Sequence, residues 1–347
     1  MIDLHSPEEI KKIDPQDTLG STELLPKQLE TAWSQVNEVI VPQDFSDITN
    51  IVFCGMGASI YGALVAKSLL GAEFPHPSEV VTDYHLPKYV NENTLVVLTS
   101  YSGSTEEVLS CASEAKEKGA KMLALTKGGK LAEFAKENSI PAYIFDGKLN
   151  PAGVPRLGNG YTIVGLMGLL KNAGIINFEA TKLEGAIQRT FAKLPELKKK
   201  AISDSEKYVG KIPVIFAAEH LSGNAQIIRN QFNETSKQFS AYYIVPDLNH
   251  HLMEGLAFPK NSPIFFISFN SENYSQKIQK RMKLTHEVVV RNECNIEEYN
   301  LSSGNIFDDF LEMLAYGSYL TLYLGLRNSQ NPAVNPWVDF FKDELAK

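Results

Sequence analysis

The sequence predicts an α/β chain built from two parallel-sheet units. Three observations carry this. Short, continuous apolar runs alternate with amphipathic helical stretches, as strands buried on both faces do when helices cover a parallel sheet. The alternation halts at a stretch rich in proline and glycine and then begins again. At 347 residues the chain also exceeds what one core usually holds.

Residues 1 to about 45 read as a helical arm, because QLETAWSQVNEVI (28–40) repeats apolar positions at helical spacing before VPQD breaks the pattern. NIVFCG (50–55) is an apolar run too short for a helix and reads as a strand. ASIYGALVAKSLLGAEF (58–74) has helical spacing, and EVVTDY (79–84) and TLVVLTS (94–100) are β-branched strands. STEEVLSCASEAKEKG (104–119) is a helix, KMLALTK (121–127) a strand, LAEFAKENS (131–139) a helix and AYIFDG (142–147) a strand. The hinge-like KLNPAGVPRLGNGY (148–161) holds two prolines and three glycines, and the apolar helix TIVGLMGLLKNAGI (162–175) follows.

Alternation restarts with strand PVIFAA (213–218), helix GNAQIIRNQFNETSKQ (223–238), strands AYYIVP (241–246) and PIFFISF (263–269), and helix SQKIQKRMKLTHEVVV (275–290). A long helix at 307–326 and a C-terminal helix at 337–347 close the chain. VVLTSYSGSTEE (96–107) aligns with FFISFNSENYS (265–275), which marks a weak internal duplication whose hydroxyl-and-glycine motif survives in the first half alone.

Composition narrows the function. The net charge of −8 argues against nucleic acid, whose binders present dense basic patches, and means that an anion site must be assembled locally. No apolar run approaches the ~20 residues a membrane span needs. The N-terminus lacks the apolar core of a secretory signal, and Cys54, Cys111 and Cys294 are too few and too scattered for a disulfide framework or a zinc cluster. A cytoplasmic protein with no metal or organic cofactor is expected.

Two strand-to-helix loops could hold a phosphate. GMGAS (Gly55 to Ser59) and SYSGST (Ser100 to Thr105) each follow an apolar strand and open a helix, aiming backbone N–H groups and hydroxyls at one place. Taken singly, either could merely cap its helix, with Glu106 and Glu107 complementing the dipole. On neighbouring turns they point together to an anion site.

At these loops the chain resembles the sugar isomerase (SIS) domains. NQFNETSK, PDLNHH, VPRLGNGY and the terminal NPAVNPWVDFFKDEL extend the resemblance, from about Asn50 to Lys347, to the bifunctional phosphoglucose/phosphomannose isomerases. It implies two SIS-type domains of flavodoxin-like αβα sandwich: an arm at 1–45, a phosphate-binding domain at 46–150, a connecting segment at 151–190 and a second domain with the C-terminal helix at 191–347. It also implies interconversion of glucose and mannose 6-phosphates with fructose 6-phosphate, through ring opening and a cis-enediolate.

That chemistry needs a carboxylate shared by C1 and C2, a cation for the enediolate and a proton shuttle for the ring. The resemblance assigns the base to Glu234, which is otherwise a helix carboxylate within reach of Lys237. It gives ring opening to His250, contributed by the other subunit of an obligate homodimer, with His251 a neighbour. Arg156 falls beside the enediolate and Lys342 assists ring opening. Ser59, Ser100, Ser102 and Thr105 take the phosphate, with Gly57 and Ala58 near the substrate. The chain departs from the family pattern at Ala58, where a second glycine is usual, in the NETSK run, and at Leu252 and Ser318; these bear on glucose against mannose preference. A non-catalytic SIS sensor of sugar phosphates, or an SIS isomerase with another substrate, are the rival readings.

Overall fold

Among the described residues nine strands fall into two sheets, and both are parallel throughout. The computed structural model describes residues 2–42, 44–302, 304–345 and 347. The first sheet comprises β1 (Asn50–Cys54), β2 (Ser78–Val81), β3 (Thr94–Ser100), β4 (Lys121–Thr126) and β5 (Ala142–Ile144), in the order β2-β1-β3-β4-β5. Register is fixed by apolar partners such as Ile51 with Leu95 and Cys54 with Leu98. Every residue of β3 is buried, which is why TLVVLTS reads as a continuous apolar and β-branched run. The second sheet holds β6 (Ile212–Ala218), β7 (Ala241–Val245), β8 (Ile264–Ser271) and β9 (Asn295–Leu301), in the order β7-β6-β8-β9. That order repeats the first four positions of the other sheet, so the duplication is topological as well as textual.

The N-terminal arm holds α1 (Pro7–Ile13), α2 (Thr18–Glu23) and α3 (Leu25–Asn37). Ser6 and Asp17 cap the first two through their side chains. The first unit adds α4 (Tyr61–Leu70), α5 (Glu106–Glu117) and α6 (Gly129–Glu137), and α7 (Gly165–Asn172) continues from a wider helical turn at 160–164. The second unit carries α8 (Ala180–Ser205), α9 (Ser222–Glu234), α10 (Leu248–His251), α11 (Gln276–Arg291), α12 (Ile306–Arg327) and α13 (Pro336–Leu345).

Two elements differ from the sequence reading. No element is read between residues 176 and 209, yet α8 runs for 26 residues there and crosses the division expected at 190. It tolerates Pro195 in its interior because it packs along α12, whose surface is apolar nearly all round. β9 is likewise unread: NIEEYNL is a half-exposed edge strand whose Glu297 and Glu298 disguise it.

One hydrophobic core passes through both units, from Ile51 and Leu95 of the first sheet to Phe216 and Ile267 of the second, with α4, α9 and α12 between them. A smaller cluster, including Val52, Val96, Cys111 and Leu131, seals the other face of the first sheet beneath α5 and α6. By contrast, α13 buries none of its residues; Trp337, Val338, Phe340, Phe341 and Leu345 are all exposed.

Candidate active site

Strand order reverses between β1 and β3, and at such a switch point a crevice opens at the carboxyl ends of the strands. Both candidate loops lie at that point. After β1 the chain turns through Gly57, whose φ of +55° is one that residues with a Cβ adopt reluctantly. Ser59 is buried, and its Oγ accepts from the Tyr101 backbone N–H at 3.2 Å, which joins the two loops. After β3, Ser100 Oγ accepts from Gly103 N at 3.0 Å and shares a 2.7 Å hydrogen bond with Thr105 Oγ1. Ser102 Oγ accepts from Ser104 N at 3.3 Å. Thr105 is the N-cap residue of α5 by position, but its side chain makes no capping bond. Its hydroxyl turns into the loop, which removes the simple capping explanation for this residue.

The hinge stretch supplies Arg156, on a short 3-10 turn (Pro155–Leu157) packed against the turn at 57–60. Gly158 lets this turn approach so closely that a Cβ there would lie 2.3 Å from the Tyr101 ring. Arg156 is 2% exposed and directs its guanidinium into the protein. Nε donates to Thr235 Oγ1 at 3.0 Å and Nη1 faces Glu234 Oε2 at 3.4 Å. Nη2 donates to the backbone oxygens of Glu234 (3.3 Å), Ala333 (3.2 Å) and Pro332. The Asn335 amide completes the set in the orientation that satisfies both its ends. Its oxygen then lies 2.9 Å from Arg156 Nη1, with its nitrogen on Val334 O (2.9 Å) and Glu234 O (3.3 Å). Burial lowers the arginine pKa from its ordinary value, against the pull of Glu234.

Glu234 is thus held at the last residue of α9 with its carboxylate one-third exposed, on the wall of a cavity of about 810 Å³. Lys237, Asn331, Asn335, Trp337 and Val338 line the same cavity. Beneath it, the phenol of the fully buried Tyr61 is pushed well above its ordinary range by burial and then by the Glu234 charge. A smaller cavity of about 360 Å³, bounded by Leu69, Phe178 and Phe307, contains none of the candidate residues.

Of the residues expected from sequence, Glu234 and Arg156 come together, and Ser59, Ser100, Ser102, Thr105, Gly57 and Ala58 share the neighbouring loops. Of these residues Glu234 alone lines the cavity; Arg156, the two loops, His250 and Lys342 do not. His250 is exposed on α10, and Lys342 is 73% exposed on α13, with Nζ 4.0 Å from Asp339 Oδ1. Lys237 does not pair with the Glu234 carboxylate, as helical spacing suggests; its Nζ donates to the Glu234 backbone oxygen at 2.7 Å. Asn335, Thr235 and Trp337 are site residues that the sequence reading passes over. The repeated Asn-Pro of NPAVNP (331–336) was the available signal for a fixed, extended segment.

The second half shows how its loop motif decayed. After β6, where the first unit has its Gly57 turn, the turn opens on Glu219, at φ +41°, and its carboxylate accepts from Ser275 N (2.9 Å) and Ser275 Oγ (2.6 Å) at the start of α11. Ser318, at the position where aspartate is usual, accepts from the buried Gln231 Nε2 at 3.0 Å. Among the described residues, no helix is long and apolar enough to cross a membrane, and no group of three or more His, Cys, Asp or Glu is placed to hold a metal.

Comparison with known proteins bears on the family and the fold. Residues 44–142 match the SIS domain family, and residues 197–345 match the bacterial phospho-glucose isomerase C-terminal SIS domain. The bifunctional phosphoglucose/phosphomannose isomerase of Aquifex aeolicus is 31% identical over 332 residues, covering 92% of this chain and 98% of that protein. The chain belongs to the bifunctional phosphoglucose/phosphomannose isomerase family. The Caldicellulosiruptor bescii member is 29% identical over 338 residues, covering 93% of this chain and 97% of its own. In fold, the chain is similar to a hypothetical protein from Thermus thermophilus, with a TM-score of 0.71 at 16% identity over 98% of this chain and 93% of that one. It is similar also to the C-terminal domain of glucosamine-fructose-6-phosphate aminotransferase from Francisella tularensis, with a TM-score of 0.70 at 12% identity over 89% and 95% of the two chains. The two family matches establish two SIS-type units, and the solved structures share the fold.

Proposed function

We propose that this chain is an aldose–ketose isomerase that interconverts glucose 6-phosphate and mannose 6-phosphate with fructose 6-phosphate. Glu234 carries the reading: a carboxylate at a helix end, braced by a buried arginine and open on a cavity large enough to admit a sugar phosphate. In this scheme the phosphate lies on Ser59, Ser100, Ser102 and Thr105 with the first N–H groups of α5, near Gly57 and Ala58. Glu234 takes the proton from one of C1 and C2 and returns it to the other, while the positive charge of Arg156 behind it favours the ionised base and the enediolate. His250 and Lys342 serve ring opening.

His250 and Lys342 are both exposed in the single copy, which fits a homodimer in which a second copy supplies His250. The uncovered apolar residues of α13 support the same assembly, because a run of exposed Trp, Phe and Leu normally marks an interface. We place this dimer in the cytoplasm, acting on small sugar phosphates without metal or cofactor.

The test is a coupled assay with fructose 6-phosphate in which glucose 6-phosphate and mannose 6-phosphate are detected separately. Turnover to both products, lost in Glu234→Gln, is expected. Turnover to glucose 6-phosphate alone would remove the mannose activity, and phosphate-dependent binding without turnover would make the chain a sensor. Mixing inactive Glu234→Gln and His250→Ala proteins should restore activity if sites are composite, since one site of each mixed dimer keeps both groups.

A further inference from the structure

We infer that Lys237 is a positioning residue of this site, fixing the backbone of Glu234 so that its carboxylate keeps its place on the cavity wall; the inference rests on the isomerase reading above. Lys237 lies just beyond α9 with φ +53°, the left-handed conformation that commonly ends helices. Glycine adopts it freely and a residue bearing a Cβ does not. A chain under pressure to fold alone would carry glycine or asparagine there.

What the lysine adds is its ammonium. The left-handed turn sends the side chain back along the helix end, where Nζ meets Glu234 O at 2.7 Å. Arg156 Nη2 meets the same oxygen at 3.3 Å, so two cations hold one carbonyl at the negative end of α9. The groups facing Lys237 are Arg156, the Glu234 carboxylate and the amides of Asn233, Gln238 and Asn335, with the Tyr61 phenol beside Glu234. Partial burial and the Arg156 charge bring the Lys237 pKa down to about 8, with Glu234 opposing. Both the backbone and the charge at this position therefore work against the folded state, while the satisfied carbonyl already has a donor in Arg156. Strain and a crowded cation that persist beside a reactive carboxylate are what a site kept for function shows. Fixing the Glu234 backbone matters because this carboxylate must reach two adjacent carbons, and small misplacement slows proton transfer sharply.

The experiment compares full-length wild type with Lys237→Gly and Lys237→Arg, by thermal melting and by steady-state turnover of fructose 6-phosphate from pH 6 to 9.5. Lys237→Gly should melt at or above the wild-type temperature while kcat falls on the order of tenfold and KM moves less than about twofold. Lys237→Arg, which keeps a cation in reach of the carbonyl, should keep kcat within about threefold. Wild-type kcat should decline above about pH 8, and that limb should be absent from Lys237→Gly. A glycine variant with kcat within twofold of wild type overturns the inference, as does one that melts lower and loses activity in proportion. Absence of turnover in the wild type would instead overturn the isomerase reading and this inference with it.

Discussion

Replacing Arg156 by lysine keeps the charge and removes the fork. Besides the Asn335 amide oxygen, the guanidinium serves five acceptors: Thr235 Oγ1, Glu234 Oε2 and the backbone oxygens of Glu234, Pro332 and Ala333. An ammonium in the same buried space reaches two of these at best, because its donors radiate from one point. About three acceptors then lose their partner, at roughly 1–1.5 kcal/mol each, so Arg156→Lys should destabilise by about 4 kcal/mol. An unfolding entropy of ~2.1 cal/mol/K per residue over 347 residues gives about 0.7 kcal/mol/K. The expected fall in Tm is therefore about 5–6 °C by scanning calorimetry.

The effect should also be local. Residues 331–335 are tied to α9 through this side chain, so limited proteolysis should cut between Asn328 and Pro336 in the variant before the rest of the chain. Turnover of fructose 6-phosphate should fall on the order of a hundredfold, since Glu234 loses its brace. An Arg156→Lys protein that melts within 1 °C of wild type and keeps its kcat would refute the claim that this arginine holds the base in place.

Three further outcomes are expected. Gly103→Ala should lower stability by about 3 kcal/mol and raise KM, because a Cβ there would lie 1.8 Å from Gly128 O on a backbone at φ +74°; melting and kinetics check it together. Thr105→Val should raise KM for fructose 6-phosphate about tenfold with little change in kcat, because the hydroxyl bonded to Ser100 Oγ leaves the loop proposed to hold the phosphate. Asp204→Asn should cost about 2–3 kcal/mol at neutral pH. Burial alone would raise the Asp204 pKa, but hydrogen bonds from Lys207, Lys200 and Tyr316 outweigh it and hold the pKa below the usual aspartate value. Its stabilisation is therefore complete above about pH 4 and is lost as pH falls through the lowered value, so acid titrations of wild type and variant should converge below that range.

Much of the fold was legible because burial on two faces writes itself into composition. β3 needs apolar or β-branched residues at every position, and TLVVLTS has them. β9 escaped because an edge strand can carry charge on both faces, Glu298 outward and Glu297 onto Lys207 and the Tyr208 hydroxyl, and α8 because Pro195 spells a break that packing against α12 overrides. The two candidate loops were legible because glycine and hydroxyl residues at two neighbouring strand ends have few other uses. The company that Arg156 keeps was not, since Thr235 and Pro332 lie 79 and 176 residues away in sequence. Nor does any spelling reveal that Lys237 is left-handed, or that the Thr105 hydroxyl turns away from its helix.

The packing of α4 against α9 has a consequence for how this chain can be divided. Each is the helix that follows the first strand of its sheet, and they meet so closely that a Cβ on Gly223 would lie 2.7 Å from Leu64 O. Each repeat therefore supplies part of its twin's interior, and cutting the chain near residue 150 would leave two fragments with wet apolar faces rather than two proteins. Mixed in one tube, such fragments have a single productive use for those faces, which is each other. Whatever duplication doubled the sheet also made the halves mutually obligate, so that the hydroxyl-lined loops of one and the Glu234 of the other are inherited, and lost, together.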